Sequence, residues 1–443
     1  MFSINYRKLS VVPAWHSALV AVILLGSVCT VARSQPAIEL RTTEASLVGD
    51  PLSVKATGLP PETRVVLFSQ IVDRYGRLWM SQAEFLSDAD GVVDPGVQAP
   101  INGAWEGVDA LGPLWSPQRK TKVGAHVPPE DGNAERVAIS AIVDGRAVAT
   151  ASRMRWYRIQ SVREQPVADD SIAARLFVED GDDRRPAVII LPGSGGGIPG
   201  PTAEHLASHG YLGFALGYFG EPQTVEELDR VPLEYFDHAI SWLKAHPRVD
   251  PDRIAVFGGS KGGELALLLA SRREDIKAVV AAVPSSVVFQ SIAEGWPRTS
   301  SWSVDGKELA FVPYVASARF RSSGRLDYLY EDSLLDEDAV EAARIHVEDI
   351  SGPILLVSGR DDRMWPATQM SDSIVATLKA LQFPHEVTHL AYDDVGHEVM
   401  ASGYRPTSWS PSVGGTRQGQ AIAQADAWVR TIEFLRRHLD PSE

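Results

Sequence analysis

The sequence predicts two architectures in series: an all-β sandwich, followed by a larger α/β unit built on a mostly parallel, doubly wound sheet. Three observations carry this reading. The chain has 443 residues, a length that fits two cores better than one. Residues 37–156 alternate apolar and polar positions between clusters of Gly, Pro and Asp, the period-2 pattern of half-buried strands. From about Val162 onward, short runs rich in Val, Ile and Leu alternate with amphipathic stretches, as buried parallel strands and their crossover helices do.

Composition narrows the function classes. With 44% hydrophobic and 22% charged residues the chain is an ordinary globular one, which excludes disordered, collagen-like and coiled-coil architectures. Lys and Arg total 42 against 57 Asp and Glu, a formal charge of −15. Such a surface is repelled by phosphate backbones and by anionic lipid, so neither a nucleic acid nor a membrane surface is an expected partner.

The first element is a leader at residues 1–34. Arg7 and Lys8 precede an apolar run from Ala18 to Ala32 that ends in small residues, the pattern of an export signal. It predicts cleavage after Ala32 or Ser34 and an exported protein, periplasmic or secreted. The run, about 15 residues, is shorter than the roughly 20 that a spanning helix needs, so no stable membrane association is expected once it is removed. Cys29 is the only cysteine, and Val28 before it argues against lipidation. A chain without its leader therefore has no disulfide, thiolate metal site or cysteine nucleophile.

The second element, residues 35–158, reads as strands in VGDPLSVKATGLPP, TRVVLFSQIVD, LWMSQAEFLSDADGVVD and ERVAISAIVDGRAVATASRMRWY. It contains no catalytic grouping of Ser, His and acid, which makes it a structural or docking module. The third, residues 159–443, carries strands in AVIILP, GFAL, IAVFG, AVVAAV, ILLVSG and EVTHL. Helices are expected in VEELDRVPLEYFDHAISWLKAH, KGGELALLLASRR, ATQMSDSIVATLKAL and GQAIAQADAWVRTIEFLRRHL. Between two strands, residues 289–345 form an excursion of the length usually found in functional loops or lids.

The chemistry centres on Gly258-Gly259-Ser260-Lys261-Gly262, a G-x-S-x-G pattern that follows the strand IAVFG and opens the helix KGGELALLLAS. A nucleophilic serine needs a tight strand-to-helix turn that lifts its oxygen clear of the sheet, with glycines permitting close backbone approach. Its partners are expected downstream in the order acid, then histidine. Gly359-Arg360-Asp361-Asp362 ends the strand ILLVSG, so an acid there shares the sheet edge with Ser260. Spacing favours Asp362 and gives Asp361 a turn-stabilising role, with Asp361 as the alternative acid. His397 lies in the loop after the last strand, where a base belongs, whereas the competing His389 lies within that strand. The loop Gly193–Gly197 after AVIILP offers amides that, with that of Lys261, could form an oxyanion hole, Ser194 and Gly195 being the candidates. That loop lacks the Lys-Ser/Thr ending of a phosphate-binding P-loop. No metal-ligand spacing such as H-E-x-x-H occurs, so neither metal nor cofactor is expected. Within the excursion, Phe289, Trp296, Trp302, Phe311 and Tyr314 are more apolar than a solvated loop requires. Trp296, Trp302, Phe311 and Tyr314 are therefore expected to line a slot for an acyl chain.

Taken together these motifs resemble the family of acyl-CoA thioesterases and bile acid-CoA:amino acid N-acyltransferases. The similarity runs through GDPLSVKATGLPP, DRYGRLWMSQAEF and INGAWEGVDALGPLWS in the first half. In the second half it covers LPGSGGGIPG, FGGSKGGELALLLAS, SGRDDRMWP, GHEV and GGTRQGQAIAQADAWVRTIEFLRRHL. The resemblance implies an immunoglobulin-like β-sandwich followed by an α/β-hydrolase fold, with the triad on Ser260, Asp362 and His397. In that family the amide-forming transferases typically carry cysteine at the nucleophile and the thioesterases serine, so Ser260 implies hydrolysis of an acyl thioester or ester. A carboxylesterase, an acyltransferase with the same triad and a non-catalytic binding protein are the competing readings.

Overall fold

The Val-, Ile- and Leu-rich runs of the later chain lie side by side in one eight-stranded sheet. Its strands are β1 (Val162–Gln165), β2 (Ala174–Glu179), β3 (Arg185–Leu191), β4 (Leu212–Leu216), β5 (Val249–Gly259), β6 (Ile276–Ala282), β7 (Ile354–Gly359) and β8 (Val387–Tyr392), in the spatial order β1-β2-β4-β3-β5-β6-β7-β8. Strand β2 is antiparallel to both neighbours, and every other pair is parallel. The computed structural model describes residues 35–43, 46–399 and 403–440, so the expected leader at 1–34 lies outside the described residues. Among the described residues no helix is long and apolar enough to cross a membrane.

Both faces of the sheet are covered, which is why its central strands are almost wholly apolar. Alternate side chains of one strand feed different cores. Ile189 and Leu191 pack with helices α2 (Leu233–Ala245) and α3 (Lys261–Arg272), while Val188 and Ile190 pack with α1 (Gly200–Ala207) and α5 (Arg417–Leu439). Helix α4 (Ala367–Ala380) completes the α2/α3 layer through Ile374 and Leu378. This is the α/β-hydrolase fold. The chain builds outward in one direction through β3 and β4 and in the other from β5, so the strand order reverses between β3 and β5. Open α/β sheets leave a crevice at the carboxyl ends of the strands at such a point.

One expected helix is shorter than its sequence pattern. The pattern from Val225 predicts a helix throughout, yet α2 begins only at Leu233. Val231 and Pro232 instead pair with Trp302 and Ser303. Pro232 has no N–H to give to a helix ladder, and the helix starts just after it. The excursion at 289–345 is itself folded: it contributes short strands at Trp302–Val304 and Lys307–Glu308 and helices at Ala318–Ser323, Leu326–Ser333 and Glu337–Ala342.

Ahead of this sheet, the strands Leu78–Leu86, Arg64–Val72, Ala134–Val143 and Arg146–Trp156 lie in that order in an antiparallel sheet. The paired strands Ala37–Thr42 and Leu52–Thr57 cover it. Leu52, Val54 and Ala56 from the covering pair bury against Val65, Leu67, Ile71, Phe85, Val137, Ile139 and Ala141, making a two-layer, immunoglobulin-like sandwich. The Asp144-Gly145 turn between its last strands has positive φ at both residues (50° and 74°), the two-residue hairpin that the dipeptide favours. Arg417, at the start of α5, donates to the carbonyls of Trp115, Ser116 and Pro117 and so ties the α/β unit to the sandwich.

Candidate active site

Strand β5 delivers Ser260 to the sheet edge, and α3 carries the chain away from it. Ser260 adopts φ 58° and ψ −124°, a conformation residues with side chains seldom take and one that costs about 1–3 kcal/mol. Its N–H is held by the Ala282 carbonyl of the adjacent strand at 2.9 Å. The flanking glycines have a steric reason. A Cβ on Gly258 would sit 2.0 Å from the Gly262 carbonyl, and one on Gly262 would sit 2.5 Å from that of Pro192. The turn therefore closes only with glycine on both sides of the serine.

Two loops bring the remaining groups. His397 Nε2 lies 3.0 Å from Ser260 Oγ, and His397 Nδ1 lies 2.8 Å from Asp362 Oδ2. The other oxygen of Asp362 accepts the N–H groups of Met364 (2.8 Å) and Trp365 (3.3 Å), which fixes the carboxylate's orientation. With Nδ1–H donated to the carboxylate, Nε2 keeps the lone pair that faces the serine hydroxyl. Asp361 points elsewhere: it accepts the Gly415 N–H at 2.9 Å and pairs with Arg363 at 3.2 Å. His389 also lies apart, between Ser358 Oγ (2.8 Å) and Asp372 (3.1 Å). The fold thus brings Asp362 rather than Asp361, and His397 rather than His389, into line with Ser260.

Ser260 and His397 open into a cavity of about 430 Å³. The loop after β3 contributes Ser194 and Gly195 to its rim, beside Lys261. The rest of its lining is mostly apolar: Ile292, Trp296, Tyr314, Leu326, Leu329, Tyr330, Met364 and Trp365. Of the four aromatic residues expected at an acyl slot, Trp296 and Tyr314 stand in this wall and touch each other edge to face at 5.7 Å. Phe289 is a layer behind, fully buried against Tyr330 (4.9 Å) and Trp365 (6.0 Å).

Trp302 and Phe311 correct the expectation. Trp302 is completely buried on the α2/α3 side of the sheet, packed on Tyr218 and Phe236. Its indole N–H donates to Glu264 Oε1 at 2.8 Å. Phe311 packs against the same core and is not part of the cavity wall. Trp302 lies in the short strand that pairs with Val231–Pro232, and Phe311 comes after it.

Lys261 was expected for its main-chain amide alone; its side chain has a structural part that sequence reasoning missed. The ammonium is buried and lies 2.6 Å from Glu264 Oε1, the carboxylate that also takes Trp302. Burial pushes the Glu264 carboxyl up and the Lys261 ammonium down, each opposed by its partner. The signal was present as an i,i+3 pair of opposite charges on an otherwise apolar helix. Leu326, Leu329, Tyr330, Met364 and Trp365 were missed as cavity residues, and nothing local to them marks them out. Among the described residues no three His, Cys, Asp or Glu side chains cluster to hold a metal ion.

Comparison with known proteins agrees with both halves of the chain. The family model described as "Acyl-CoA thioester hydrolase/BAAT N-terminal region" matches residues 49–169. The one described as "BAAT / Acyl-CoA thioester hydrolase C terminal" matches residues 231–441. Acyl-coenzyme A thioesterase 5 of Mus musculus is 27% identical over 419 residues, covering 91% of this chain and 97% of that protein. Mitochondrial acyl-coenzyme A thioesterase 2 of Mus musculus is 27% identical over 434 residues, covering 94% and 92%. Acyl-coenzyme A thioesterase 6 of Homo sapiens is 27% identical over 405 residues, covering 88% and 94%. With a family model on each architecture and relatives that span almost its whole length, this chain belongs to the acyl-CoA thioester hydrolase/BAAT family.

Proposed function

We propose that the chain is a serine hydrolase that cleaves acyl-CoA-type thioesters through an acyl-Ser260 intermediate. The observation that carries this is the hydrogen-bonded series Ser260–His397–Asp362 at the mouth of an apolar cavity. His397 Nε2 takes the hydroxyl proton as Ser260 Oγ attacks the thioester carbonyl, and Asp362 stabilises the imidazolium. The first turn of α3 leaves the Lys261 N–H without a partner in the helix, and with the Ser194 and Gly195 amides it holds the oxyanion. The tetrahedral intermediate collapses, the C–S bond breaks, and His397 returns the proton to the departing thiolate. Water, deprotonated by the same imidazole, then releases the acid from Ser260. The cycle takes a small-molecule acyl thioester and water.

A fluorophosphonate probe should label the wild-type chain and fail to label Ser260→Ala. Turnover of CoA thioesters at rates no better than those of the Ser260→Ala chain would remove the proposal.

The cavity also sets an acyl preference. Each CH₂ buried from water contributes about 0.8 kcal/mol, so four further carbons add about 3 kcal/mol of binding. We therefore expect kcat/KM to rise with acyl length and then level off. Leu326→Trp, which fills part of the wall, should move the plateau to shorter chains. Equal rates for acetyl and long-chain thioesters in both proteins would show that this wall does not select the acyl group.

The leader supplies the location. The basic start and apolar run of residues 1–34 direct the chain across a membrane, so a reporter fused to them should be exported. An intact Met1 on cytoplasmic protein would refute that part of the proposal.

A further inference from the structure

Ser260 and His397 border a second opening of about 340 Å³, and among the described residues these two are the ones it shares with the apolar cavity. The rest of its lining carries polar side chains, Arg405, Thr407, Ser408, Gln424 and Glu398, with Pro406 between them. We infer that this polar pocket is the leaving-group subsite, shaped for a thiol arm rich in hydrogen-bonding oxygen and amide groups. The inference rests on the hydrolase reading above and assigns the other half of the same substrate.

The geometry of the reaction requires such a site. The carbon attacked by Ser260 carries two branches, the acyl chain and the sulfur. If the acyl chain fills the apolar cavity, the sulfur branch must leave by another route, and it must pass His397 to recover its proton. The polar pocket is an opening that meets both conditions, since His397 stands in its wall. Its chemistry suits oxygen acceptors. The Arg405 guanidinium carries several donors, the Ser408 hydroxyl adds one, and the Gln424 amide keeps the N–H that it does not give to the Glu398 carbonyl. The Thr407 hydroxyl already donates to the Arg405 carbonyl at 3.3 Å. The Glu398 carboxylate is exposed, and it can accept amide N–H groups of an arm.

The wall is also held in place. Thr407 N–H donates to the Trp115 carbonyl of the sandwich at 3.2 Å, and the Thr407 carbonyl accepts from Arg417 at 2.6 Å. Arg417 in turn is bonded to the carbonyls of Trp115, Ser116 and Pro117. Arg155, buried in the sandwich, donates to the Tyr404 carbonyl. Gln424 Nε2 donates to the Glu398 carbonyl at 2.7 Å, which fixes the residue after the histidine. The sandwich thereby gains a part in the reaction: it braces the segment that faces the leaving group.

The test compares octanoyl-CoA with the octanoyl ester of methanethiol, which share an acyl group and differ in the arm. In Arg405→Ala, kcat/KM for octanoyl-CoA should fall about tenfold further than for the methanethiol ester. The acyl-length plateau, set in the other cavity, should stay where it is. Ser408→Trp places bulk in the pocket from an exposed position, so it should give the same selective loss even if Arg405→Ala does not fold. Equal factors for the two esters in both variants would overturn the leaving-group assignment while leaving the hydrolase intact. A wild-type protein that cleaves neither ester would overturn both readings together.

Discussion

Ser260→Ala and His397→Ala should each lower kcat by about 10³-fold or more, with thermal unfolding close to wild type. In the proposed mechanism the serine supplies the nucleophile and the imidazole its base, and groups that act as a unit lose nearly everything when one is removed. Asp362→Asn should cost about 10⁴-fold, because an amide can no longer hold Nδ1–H in place or balance the imidazolium charge. Asp361→Asn should cost far less: its carboxylate serves the Gly415 N–H and Arg363, not the histidine. Steady-state kinetics of the four variants on one thioester would decide the matter. Asp361→Asn falling further than Asp362→Asn would mean that the loop after β7 seats the other carboxylate at His397.

Trp302→Ala should act on stability rather than on acyl selection, by about 3–5 kcal/mol in urea unfolding. The indole is fully buried, and its removal leaves a cavity between α2 and α3 and takes a donor from Glu264. Glu264→Ala should be comparably severe, because it strands the buried Lys261 ammonium without its counter-charge. Trp302→Phe restores most of the volume but not the N–H, so it should recover part of the loss. If Trp302→Ala kept wild-type stability while losing only long-chain substrates, the residue would belong to the acyl slot after all.

The strands that were legible from sequence are those buried on both faces. A run such as Ala187–Leu191 must be apolar at every position, and this needs no knowledge of its neighbours. Strands β1 and β2 were not legible. Val162–Gln165 has four residues, two of them exposed, and it pairs antiparallel at the sheet edge, where one covered side suffices. The start of α2 was misplaced because helical periodicity continued through a proline whose strand partner lies some seventy residues away.

The site divides in the same way. Although the close approach at Gly262 is to Pro192, just after a neighbouring strand, Gly258–Gly262 and its flanks are legible as strand, tight turn and helix from consecutive residues. The sequence alone therefore located the proposed nucleophile. It also determined the order of acid and base, since both lie at the ends of sheet strands. Spacing favoured Asp362 of the two adjacent aspartates, and only the tertiary structure shows it meeting His397, with its other oxygen held by the nearby Met364 and Trp365 amides. Tertiary structure alone separated Trp296 from Trp302: the two are alike in composition, but one has 56% of its surface exposed at the cavity and the other none. Near-neighbour sterics and hydrogen bonding are written in consecutive residues, whereas which face of a distant element a side chain meets is fixed only when the sheets, their helices and the sandwich have packed.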